Sequence, residues 1–107
     1  MRNVYLAECL TYGATHPVKI GISKNPYKRM RHLSQMGIEC PGLRAIFVFP
    51  EEKDARFVER KTYNQYKSIR CGMAHSKEIL DASIDELSVF IKSWGPLYSI
   101  ILESRPR

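Results

Sequence analysis

Residues 16 to 33, HPVKIGISKNPYKRMRHL, place two different cations ten positions apart. Lys19 falls in a short apolar alternation and Arg29 in the basic run KRMRH, with Gly21, Asn25 and Pro26 between them. A guanidinium keeps its charge at any working pH and grips a phosphate through two parallel N–H bonds. An ammonium on a strand is either a point charge for an anion or, once stripped of water, a proton acceptor. Ser23, Lys28, Arg31 and His32 add hydroxyl, cationic and imidazole groups to the same stretch, the set that holds an anionic backbone. The whole chain carries 17 Lys and Arg against 11 Asp and Glu, a formal net charge of +6, so a polyanion is a plausible partner. On charge alone a merely basic, solvated surface remains the competing reading.

The elements that must position these groups follow from periodicity and from turn chemistry. Residues 3–10 read as a first strand with Val4, Leu6 and Leu10 on one side and Tyr5, Ala7 and Cys9 on the other. Residues 11–17, with Gly13 and Pro17, form the turn into a second strand at 18–23. There Val18, Ile20 and Ile22 share one face, so Lys19, Gly21 and Ser23 share the other, and Tyr5 and Lys19 fall on one face of the hairpin. Asn25 as N-cap and Pro26 at the first helical position open a helix that Gly37 closes. Its apolar stripe is Tyr27, Met30 and Leu33, with Arg29 alongside, about 100° round the axis from Met30. Residues 43–50, LRAIFVFP, are the most apolar stretch and read as the strand at the centre of the core.

A long helix from Glu52 to Arg70 carries the stripe Ala55, Val58, Thr62, Tyr66 and Ile69, with Glu59 on its margin. Ser83-x-x-Glu86 has the form of a capping box, and Ile84, Leu87, Ile91 and Trp94 give the buried stripe of a last helix stopped by Gly95 and Pro96. The expected fold is α/β (α+β): a small three-stranded, largely antiparallel sheet flanked by helices, in the order β-β-α-β-α-α.

At 107 residues the chain fits a single domain, 1–107, and its 44% hydrophobic and 26% charged content is that of a folded globular protein. No apolar run approaches the roughly 18 residues of a membrane span and the first residues lack a cleavable leader pattern, so a cytoplasmic location is expected. Cys9, Cys40 and Cys71 are odd in number and scattered, which reads as free thiols. His16, His32 and His75 are too dispersed for a zinc set.

With these placements the chain resembles the GIY-YIG endonuclease superfamily, which carries a Tyr on a first strand, a second short strand ending in Gly, an Arg on the next helix and a Glu on a later one. The corresponding residues are Tyr5 in Asn3-Val4-Tyr5, the run Lys19-Ile20-Gly21, Arg29, and Glu59 in the FVERKTY helix. The likeness spans residues 3 to 80. Lys19 stands where the commoner second motif has Tyr, which is similar to a KIG-type, phage-related branch. The first motif lacks its Gly-Ile, and Leu33 stands where some members have His.

The resemblance implies a metal-dependent DNA endonuclease with Tyr5, Lys19, Arg29 and Glu59 as catalytic residues. Each role has a chemical reason. Glu59 supplies the one carboxylate that a hydrated Mg²⁺ or Mn²⁺ needs when phosphate and water complete its shell. Arg29 cancels charge growing on the phosphoryl oxygens. A phenol of pKa about 10 is a poor base unless a cation lowers it, so either Lys19 activates Tyr5 or Lys19 itself takes the proton. Gly21 keeps space for the substrate backbone, and Ser23, Lys28, Arg31 and His32 bind along it. Glu78 is an additional acidic candidate. The rival expectations are a nucleic-acid-binding module of the same fold without chemistry, and a basic accessory protein that meets an acidic partner.

Overall fold

Four consecutive residues, Val4, Tyr5, Leu6 and Ala7, are each no more than 1% exposed, so both faces of the strand that holds them are covered. The computed structural model describes residues 2–8, 17–35, 42–66 and 79–102. The three cysteines, His16, His75, Glu78, the turn around Gly13, the expected helix end at Gly37 and the expected last turn of the second helix at 67–70 lie outside them. So does the C-terminal stretch 103–107.

Strand β1 (Arg2–Glu8) is the middle of a five-stranded sheet. It pairs antiparallel with β2 (Pro17–Ser23) on one side and β3 (Gly42–Phe49) on the other. Two short strands, β4 (Ile79–Asp81) outside β2 and β5 (Tyr98–Ile101) outside β3, complete the order β4-β2-β1-β3-β5, and every pairing is antiparallel. The helices are α1 (Pro26–Gln35), α2 (Glu52–Tyr66) and α3 (Ile84–Lys92). The α+β architecture expected from the sequence therefore holds, with one correction: the sheet gains two edge strands. β3 gives Ala45, Phe47 and Phe49 to the core as expected, while the middle strand of the sheet is β1. Hydropathy measures how well a strand's faces are covered; the central place goes to the strand that pairs on both edges along its length.

One sheet face builds the core. Val4, Leu6, Val18, Ile20, Ala45, Phe47, Phe49 and Leu80 meet Ala55 and Val58 of α2 and Ile84, Leu87 and Ile91 of α3 in one cluster. Each large side chain buried there contributes roughly 1.5–3 kcal/mol relative to exposure. Thr62 joins α2's buried row because its hydroxyl donates to the Val58 carbonyl at 2.8 Å, which satisfies the polar atom inside the helix. The opposite face carries Tyr5, Ala7, Lys19, Gly21, Ile46 and Val48, also buried, and α1 lies against β2 and β3.

Both expected caps are present. Asn25 Oδ1 accepts from the Lys28 N–H at 3.2 Å ahead of Pro26, and Ser83 Oγ accepts from the Glu86 N–H at 3.1 Å. Two expected stripe residues are exposed. Tyr27 is 57% exposed, because the row that faces inward starts one residue earlier, with buried Pro26 followed by half-buried Arg29 and Met30. Trp94 is 39% exposed, because α3 ends at Lys92 and the 3.6-residue period ends with it.

Candidate active site

The register of β1 with β2 determines which groups meet. Tyr5 is opposite Gly21, Ala7 opposite Lys19 and Asn3 opposite Ser23, so all six side-chain positions face one way. The Tyr5 ring lies across β2: a Cβ on Gly21 would fall 2.4 Å from the phenolic oxygen and 2.6 Å from Cζ. The space over Gly21, expected to admit substrate, is thus taken by the phenol. Glycine is required there because an aromatic ring crosses the strand. Lys19 is two residues along the same face from Gly21, a rise of roughly 6.6 Å. Tyr5 is 1% and Lys19 5% exposed, so this pair is embedded in the protein.

Where β2 leaves the sheet the chain turns tightly into α1. The Asn25 N–H donates to Ser23 Oγ at 3.1 Å, the Asn3 amide donates to the Lys24 carbonyl at 3.3 Å, and the Arg29 N–H donates to the Asn25 carbonyl at 3.1 Å. These bonds fix the first turn of α1 against the start of β1. The result is an open cleft of about 930 Å³ lined by Arg2, Ile22, Ser23, Lys24, Asn25, Lys28, Arg29, Arg31, His32 and Gln35. No carboxylate lines it among the described residues. Arg29 Nη1 donates to His32 Nδ1 at 3.3 Å, which links two of the lining groups one helical turn apart. Arg2 is held at the rim by Glu52, whose Oε1 accepts from its guanidinium at 2.5 Å.

The structure therefore brings Ser23, Lys28, Arg29, Arg31 and His32 into one cationic cleft, and brings Tyr5, Lys19 and Gly21 together on the sheet face that leads to it. Glu59 is half-buried on the flank of α2 and does not line the cleft. Its neighbours one turn either way on the buried side, Ala55 and Tyr63, pack on the core. Arg2, Lys24 and Gln35 are cleft residues that sequence reading missed. Arg2 and Lys24 are placed by the pairing of residue 3 with residue 23, a register without a local sequence signal, which sets both beside the opening of α1.

Among the described residues no three His, Cys, Asp or Glu side chains gather into a metal-binding group. A single carboxylate still fits a hard dication of the kind that keeps most of its water and takes its remaining ligands from substrate phosphate. No described helix is long and apolar enough to cross a membrane.

A family model, the T5orf172 domain, matches residues 3–95, from the second residue of β1 to the glycine that follows α3. No curated protein and no solved structure matches the chain. The matched span holds every cleft residue except Arg2, four of the five strands (β1 without its first residue) and all three helices. The chain belongs to the T5orf172 domain family, a phage-linked domain of the nuclease type.

Proposed function

We infer that this chain is a GIY-YIG-type DNA endonuclease of the KIG branch, hydrolysing phosphodiester bonds with the help of Mg²⁺ or Mn²⁺. One observation carries the reading: the Tyr5–Lys19 face of the sheet runs into a cleft whose charged lining is wholly cationic among the described residues. Arg2, Lys24, Lys28 and Arg31 hold the phosphates flanking the scissile bond, and Arg29 takes the scissile phosphate and offsets the charge that grows on its oxygens. Ser23 and His32 add hydrogen bonds at the same rim. Tyr5 and Lys19 act as a pair that accepts the proton of the attacking water. Lys19 supplies the cation beside the Tyr5 phenol, or is itself the group that takes the proton. Glu59, on the flank of α2 outside the cleft lining, is the carboxylate that would hold the metal, and the metal would supply Lewis-acid stabilisation of the phosphoryl group.

The burial of Tyr5 and Lys19 favours the second reading, a binding module that keeps the cleft without chemistry. Nicking of supercoiled plasmid with and without Mg²⁺ or Mn²⁺ separates the two. The expected outcome is metal-dependent nicking that Arg29→Ala lowers on the order of 10² to 10³-fold while the fold is retained. Salt-sensitive DNA binding without nicking supports the binding module.

A further inference from the structure

The outward side of α2, turned away from the core, carries Lys53, Phe57, Arg60, Lys61 and Asn64, all exposed. Phe57 is 48% exposed, and beside it stands Trp94 from beyond the end of α3. Their ring centroids are 5.3 Å apart with planes at 84°, so one ring is floor and the other wall of a corner. Lys61 Nζ lies over the Phe57 ring, 5.3 Å from its centroid. Behind the corner the contact continues inward, Trp94 to Phe90 at 6.2 Å and Phe90 to Tyr66 at 5.7 Å. The inner rings fasten α3 to α2. The outer two leave large aromatic surface in water, a cost of tens of calories per Å² that packing does not require.

The charges around the corner indicate what covers it. An apolar protein segment laid on Phe57 would strip water from the Lys61 ammonium without supplying a counter-charge. A nucleotide brings a flat base for the rings and a phosphate for the cations in one unit. Bases inside a duplex already have both faces occupied, so only an unpaired nucleotide offers one. We propose that Phe57, Trp94, Arg60 and Lys61 form a second nucleic-acid contact, separate from the cationic cleft, that takes an unpaired base of single-stranded or distorted DNA. The base stacks in the aromatic corner and its phosphate pairs with Lys61 and Arg60. None of the four residues lines the cleft, so this contact stands whether or not the cleft cuts DNA.

Trp94 is the single tryptophan of the chain, so its fluorescence reports this corner directly. The protein is titrated at low salt with a thymidine oligonucleotide, with a duplex of equal length and with polyglutamate. The proposal expects the single strand to quench Trp94 emission, and to do so more tightly than the duplex. Phe57→Leu, which keeps apolar bulk but loses the flat face, and Lys61→Gln should each weaken that binding about tenfold. Arg29→Ala should leave the quench in place even if it abolishes nicking. Circular dichroism confirms that each variant is folded. No quench by the single strand, equal quench by polyglutamate, or full affinity retained by folded Phe57→Leu each overturns the proposal.

Discussion

The contact between Tyr5 and Gly21 is the tightest constraint in the candidate site. Adding one carbon to Gly21 puts it against the buried Tyr5 ring itself and not only its hydroxyl, since Cζ and Cε2 of Tyr5 lie 2.6 and 2.8 Å from the added Cβ. Gly21→Ala should therefore destabilise the fold by about 1–3 kcal/mol, the usual range for overpacking a filled site. The cost should shrink in a Tyr5→Leu background, because the colliding ring is then gone. Urea unfolding of the two single variants and the double variant measures this coupling, and strictly additive values would show that the ring is not what excludes alanine. Glu59 is tested by a different pair of measurements. Glu59→Gln replaces a carboxylate with a much poorer ligand for Mg²⁺, so cleavage should vanish, whereas DNA binding in chelator should hold or tighten as one negative charge is lost. Unchanged Mn²⁺-dependent cleavage would remove Glu59 from the mechanism and return it to its place on the flank of α2.

At the scale of the elements, α2 and α3 are joined by the aromatic contact of Tyr66 with Phe90, and this joint titrates. Burial, with the Glu86 carboxylate adding to it, raises the Tyr66 phenol above its ordinary value of 10.0. A raised value means that the folded state holds this proton more tightly than the unfolded chain. The stability that Tyr66 contributes is thus whole below pH 10.0 and is lost as pH rises through the folded value. Thermal unfolding followed from about pH 9 to about pH 11 should show a steeper decline in the parent than in Tyr66→Phe. Local signals made much of this element structure legible in the sequence: Asn25-Pro26 and Ser83-x-x-Glu86 are caps that depend only on near neighbours, and both are made. Strands β4 and β5 were not legible because three and four residues carry too little alternation to register against noise. Of the candidate site, the cations from Lys28 to His32 could be read from one helix turn. Arg2 could not, because its place depends on a pairing across twenty residues of chain.

For the molecule as a whole, the cleft concentrates Arg2, Lys24, Lys28, Arg29 and Arg31 on one side of a chain whose net charge is +6. Binding that uses these cations releases counterions from DNA, so affinity should fall steeply with salt, by a log–log slope of about 0.9 for each phosphate neutralised. Lys28→Ala should weaken binding equally across sequences and lower that slope by about one. A slope unchanged by the substitution would place Lys28 outside the contact. The strand order β4-β2-β1-β3-β5 has a consequence of another kind, for the time course of synthesis. Numbered by emergence, the strands fill the sheet from the middle outward, alternating sides, and each newcomer meets an edge that its predecessors have already made. A ribosome adds about 5–20 residues per second, while a hairpin closes within roughly 10 μs, so the β1–β2 pair has time to close long before β3 is translated. Nascent chains can thus assemble this sheet without ever parting strands to admit a later one. Loss of β5 would leave four strands contiguous, whereas loss of β1 would cut the sheet in two.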